Sequence, residues 1–135
     1  MRERYLVDAI VENILSEIPS NSDVVRAILT GAGSTFGLDI KVYGAEGIKL
    51  VLDYPIGVPL EVAELRDLMA VTGMGSWFTF SLTIRRDGDV HTEFDYEKPE
   101  ESALYWLDLA GDLKRHPRDK PPRWMLDAIE KQLDE

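Results

Sequence analysis

His91, Glu93 and Asp95 are the side chains whose types and spacing could do chemistry together, being alternate residues of the stretch VHTEFDY. Alternate positions of a strand share one face, so an imidazole and two carboxylates could offer nitrogen and oxygen ligands to a divalent ion. Three ligands on one strand diverge rather than converge, however, and no second cluster elsewhere in the chain would complete the shell. The plainer reading is a polar, solvent-facing strand. Asp95 and Glu97 could be the acid/base pair of a glycoside hydrolase, which needs a cleft that so small a chain gives no sign of having. His91 and His116 are the only histidines, neither lies near a Ser pattern suited to nucleophilic catalysis, and cysteine is absent. The expectation is a non-enzymatic protein with no catalytic residue, no metal and no cofactor.

The element that must position these groups is Ser76–Pro99, SWFTFSLTIRRDGDVHTEFDYEKP. Phe78, Phe80, Leu82 and Ile84 alternate with Trp77, Thr79, Ser81 and Thr83, the period of a half-buried strand. Asp87-Gly88 supplies a tight turn, since glycine takes a positive φ without a steric penalty. Val90, Thr92, Phe94 and Tyr96 then alternate with His91, Glu93, Asp95 and Glu97, so the second strand has an acidic outer face. A slip of one residue would put those carboxylates in the core, and the register is therefore well specified.

Around this hairpin, 135 residues that are 44% hydrophobic suffice for one domain with its own core, spanning residues 1–135. The formal net charge of −10 makes nucleic-acid phosphate a poor partner and a basic protein surface a good one. No run approaches the length of a membrane helix, and MRERYLVDAIVENI lacks the apolar stretch of a signal peptide. These features lead to the expectation of a soluble, cytoplasmic protein that binds neither nucleic acid nor membrane. Its oligomeric state is left open.

In chain order, Leu6, Val7, Ile10, Val11, Ile14, Leu15 and Ile18 recur at helical spacing up to Pro19, and Ser20–Asp23 is a turn cluster. Val24–Thr30 reads as a strand. Gly31-Ala32-Gly33-Ser34 resembles a phosphate loop only in its glycines; without the Gly-Lys-Ser/Thr ending it reads as a strand-to-strand turn. Leu38, Ile40 and Val42, then Ile48, Leu50, Leu52 and Tyr54, form a second hairpin about Gly44–Gly47. Pro59 opens a helix from Leu60 to about Thr72 with Val62, Leu65, Leu68 and Met69 buried, and Gly73 stops it. A further helix carries Leu104, Leu107 and Leu113 up to Pro117. Beyond the basic linker RHPRDKPPR, a last helix carries Trp124, Met125, Ala128, Ile129 and Leu133. The order α-β-β-β-α-β-β-α-α predicts an α+β fold, a single antiparallel sheet of about five strands with helices packed on one face.

Trp77, on the polar side of its strand beside Thr79 and Glu93, is expected to be exposed and to suit a protein interface. With Glu93, Asp95, Asp39 and Asp53 it forms the expected partner-binding face, an aromatic anchor among carboxylates.

Trp77 opening a strand, the run Phe78–Ile84, the turn Asp87-Gly88 and Phe94-Asp95-Tyr96 before a Trp-bearing helix together resemble the YezG-like immunity proteins of bacterial polymorphic toxin systems. The helix ending at Ile18-Pro19 is similar too. The likeness is good over residues 76–106 and general in element order elsewhere. It implies an antitoxin that binds a cognate secreted toxin, of nuclease or NAD-hydrolase type, and holds it inactive in the producing bacterium. Such a toxin would present a basic active-site surface to the acidic face. The element order also resembles type III secretion chaperones, which hold an effector segment. A small metal-dependent enzyme built on His91, Glu93 and Asp95 is the third alternative.

Overall fold

The computed structural model describes residues 2–16, 18, 22–44, 47–52 and 58–134, with the backbone alone for 47–52, 58 and 59. Helix α1 (Arg2–Leu15) buries Leu6, Ile10 and Ile14, one residue per turn on a single stripe. Strands β1 (Val24–Ala32), β2 (Thr35–Gly44) and β3 (Gly47–Leu52) run antiparallel in sequence. Helix α2 (Val58–Leu68) returns the chain to the other side of β1, where β4 (Thr79–Arg85) pairs antiparallel with it and β5 (Val90–Asp95) completes the hairpin. The spatial order is β3-β2-β1-β4-β5. The architecture is α+β with one antiparallel sheet.

The registers carry the alternation across the sheet. Val25, Ala27 and Leu29 of β1, Ile40 and Val42 of β2, and Phe80, Leu82 and Ile84 of β4 are buried in one cluster with α1 and with Val62 and Leu65 of α2. The β4–β5 turn follows its glycine, Gly88 having φ +93. Burying one such phenylalanine or leucine is worth roughly 1.5–3 kcal/mol, so this face is where the sheet gains most of its stability.

A second cluster departs from the expectation that all helices lie on one face. A 3-10 turn (Glu101–Tyr105), α3 (Leu109–Arg115) and α4 (Arg123–Leu133) gather Ala103, Leu107, Leu109, Met125 and Ala128 around Ala32 and Phe78. Ala32 has the parity of the exposed residues Arg26 and Ile28, so these helices cap the β1–β2 turn from the side away from α1. The helix expected to run on from Leu104 is in fact two pieces, broken at Trp106–Asp108, because Asp108 starts α3 anew by accepting a hydrogen bond from Gly111 N (3.0 Å). Leu68, expected in the α2 stripe, is exposed at the end of the helix.

The two clusters are tied together by buried charge. Both terminal nitrogens of Arg66 donate to Asp112, the second at 2.9 Å, and Arg66 Nε donates to the carbonyl of Trp77 (2.6 Å). Asp112 also accepts from Gly33 N (3.0 Å), while Asp108 accepts from Ser34 N (3.0 Å) and Ser34 Oγ (2.9 Å). The glycine turn therefore does present backbone N–H groups to anions, and the anions are carboxylates of α3. A buried pair held on this many sides fixes geometry more than it adds net stability.

Candidate functional site: the open face of the sheet

The outer face of the sheet is assembled row by row from the strand registers. Asp39, Ile28, Ser81 and Glu93 stand side by side across β2, β1, β4 and β5, and the next row holds Gly37, Thr30, Thr79 and Asp95. Three strand spacings separate Asp39 from Glu93, about 14 Å. Ile28 is 45% exposed at the centre of the first row, where an alternating strand places any residue that does not face the core.

Trp106 closes one end of this face. It follows the 3-10 turn, is 44% exposed, and lies over β2 at Gly37, where a Cβ would come within 2.7 Å of indole Cη2. Only a glycine at that register lets the indole approach the strand so closely. Ile28, Thr30, Thr79, Ser81, Trp106 and Glu100 line the resulting shallow depression of about 600 Å³. Carboxylates of Asp39, Glu93, Asp95 and Glu100 border it, against the cations Arg26 and Lys41 in the row beside Ile28.

The structure brings together three of the expected partner-binding residues: Asp39, Glu93 and Asp95 are exposed on this face. Asp53 falls outside the described residues. Trp77 is corrected: the chain bends at Phe78, so Trp77 turns into the main core with 0% exposure and packs at 5.7 Å ring-centroid separation on both Phe80 and Phe94. Its Nε1 is buried and has no partner among the described residues. Phe78 is displaced in turn into the second cluster, edge-on to Trp124 at 5.2 Å. The aromatic on the open face is thus Trp106. Its signal was Gly37, a glycine inside an otherwise alternating strand.

The metal arrangement does not assemble. His91 Nε2 lies 3.1 Å from Glu93 Oε1 on the exposed strand, and Asp95 Oδ1 accepts from Glu97 N (2.8 Å). Among the described residues no group of three or more His, Asp or Glu side chains is placed to hold an ion. The other histidine, His116, meets Asp67 (2.8 Å) beside Arg115 and joins α3 to α2. The Arg115 hydrogen bond, opposed in part by desolvation and helped by His116, holds the Asp67 carboxyl below the usual aspartate range.

Chemically, this open face offers the hydroxyls of Thr30, Thr79 and Ser81, the apolar surfaces of Ile28 and Trp106, and bordering carboxylates for contact with a partner. No helix among the described residues is long and apolar enough to cross a membrane. The chain matches no protein-family model and no curated protein sequence.

Proposed function

We propose that the protein is a non-enzymatic immunity protein that binds a cognate secreted toxin, of nuclease or NAD-hydrolase type, and keeps it inactive in the cytoplasm of the producing bacterium. The observation that carries the reading is the uncovered sheet face, where half-exposed Ile28 and Trp106 are bordered by Asp39, Glu93, Asp95 and Glu100. An aromatic anchor that desolvates on contact, ringed by charge, is a frequent hot-spot arrangement. A chain of net charge −10 would be steered toward a basic active-site cleft and could cover it with carboxylates in place of phosphate.

The test is co-expression with the toxin domain encoded beside this protein's gene. The parent should protect the cell and co-purify with the toxin. A Trp106→Ala, Glu93→Lys, Asp95→Lys variant that is folded should lose both properties. Full protection by that variant would place binding elsewhere, and a failure of the parent to bind any adjacent gene product would end the immunity reading.

A further inference from the structure

The edge of the sheet beside α1 offers a second mode of recognition that uses neither Trp106 nor Ile28, and so goes beyond the reading above. Strand β5 ends the sheet and, among the described residues, pairs only with β4. Arg85 N donates to Asp89 O (2.8 Å), which makes 85 and 89 a hydrogen-bonded pair. By antiparallel alternation the pairs 83/91, 81/93 and 79/95 are then the other hydrogen-bonded ones. The N–H and C=O groups of Val90, Thr92 and Phe94 therefore point away from β4, and they have no backbone partner among the described residues.

Proteins blunt such edges with charged side chains, proline, a bulge or an inward-pointing charge. β5 carries charge on its outer side alone, at Glu93 and Asp95, and has no proline, bulge or inward charge: its core-side residues are Val90, Thr92 and Phe94, and its pairing with β4 is regular. The pairing of β2 with β3 at the opposite end of the sheet, by contrast, has a register shift at Val42/Tyr43. Val90 is 39% exposed although it faces the core side, at the end of the sheet where no further strand pairs with β5 among the described residues. A groove of about 740 Å³ runs there between α1 and β5, its floor formed by Val7, Val90 and Phe94.

Charge selects the occupant. Glu3, Asp8 and Asp89 line the groove, and Glu93 and Asp95 stand on the outer side of the same strand. Among the described residues that line the groove the one cation, Arg4, lies 3.4 Å from Asp8. A second copy pairing antiparallel about Thr92 would set Asp89 against Asp95 and add another acidic edge. We infer that the β5 edge accepts an extended segment of a partner protein as a sixth strand, with apolar residues beside Val90 and Phe94 and Lys or Arg at the positions between.

A peptide of about nine residues alternating Val and Lys, roughly one strand in length, serves as the probe on the full chain. Hydrogen exchange followed by NMR should show the Val90, Thr92 and Phe94 amides slowed at least about tenfold by the peptide, less so at high salt, and not at all by a Glu-for-Lys version. Thr92→Lys, which puts a charge into the groove, should abolish the protection; Val90→Lys is the second variant should the first not fold. Unchanged exchange at these amides, or protection at Ile28 and Ser81 instead, would overturn the inference. So would slowing that rises with protein concentration in the absence of peptide, which would make the occupant a second copy.

Discussion

The inner and outer faces of β1 and β4 are built from neighbouring residues of the same strands, yet only one of them is closed. Val25, Ala27, Leu29, Phe80 and Leu82 face α1 and α2 and are buried, whereas Arg26, Ile28, Ser81 and Thr83 between them face solvent and the edge of Trp106. The inner set is dictated by packing: volume and apolarity must match the helices, and little else is tolerated. The outer set is under no such constraint, so its composition, threonine and serine around one isoleucine with carboxylates outside, can be given over to a partner. On the proposed reading, stability and recognition fall to opposite sides of one backbone.

Breaking the closed side should produce the largest effects. Asp112→Ala would strand Arg66 in the interior without its carboxylate, and urea unfolding should show a loss of about 3–5 kcal/mol. Phe80→Ala should cost a comparable amount, about 3–5 kcal/mol, from the cavity left between Trp77 and Phe94. Trp77→Ala belongs with these, and its effect on toxin binding should follow from unfolding alone. If either aromatic variant is as stable as the parent, the inner face is wrongly placed.

On the open side, Trp106→Ala should leave the unfolding free energy nearly unchanged and weaken toxin binding by about 2 kcal/mol, chiefly through faster dissociation. A variant that loses stability instead would make Trp106 a packing residue. Asp108→Ala is a smaller test at the junction of the two regions. Hydrogen bonds from Ser34 N first of all, with Ser34 Oγ and Gly111 N, outweigh desolvation and hold the Asp108 carboxyl below the usual aspartate range. A depressed pKa in the folded state contributes stability that is complete above about pH 5 and is lost as the pH falls below about 4, where the carboxyl takes up its proton. The substitution should cost about 1 kcal/mol at neutral pH and reduce the steepness of acid unfolding. Glu93→Lys with Asp95→Lys should change stability by no more than about 0.5 kcal/mol while slowing toxin association and reducing its dependence on salt.

Much of the closed face was legible because alternation is a local signal. Phe80, Leu82 and Ile84 against Val90, Thr92 and Phe94 need only a period of two and a glycine turn to be read, and the registers agree. The reading failed at Trp77 and Phe78, where period two was carried two residues past the strand's true start. Both side chains are large and apolar, so the sequence pattern does not distinguish a continued strand from a bend that sends them into two different clusters. The break between the 3-10 turn and α3 was hidden for a related reason. Leu104, Leu107 and Leu113 fit a helix, and Asp108 stands out as a start signal only once its distant partner Ser34, 74 residues earlier in the chain, is in place. Of the open face, the carboxylates of Asp39, Glu93 and Asp95 followed from parity alone. Trp106 did not, because its contact with Gly37 depends on where the second cluster sits.

The most direct measurement is hydrogen–deuterium exchange of the protein with and without the proposed partner, a toxin domain encoded beside its gene. The account predicts slowed exchange in the segments that carry Ile28, Ser81, Glu93 and Trp106, with α1 and α2 unchanged on their solvent sides. A footprint confined to α1, α2 or α4, with the open sheet face exchanging as it does in the isolated protein, would contradict it.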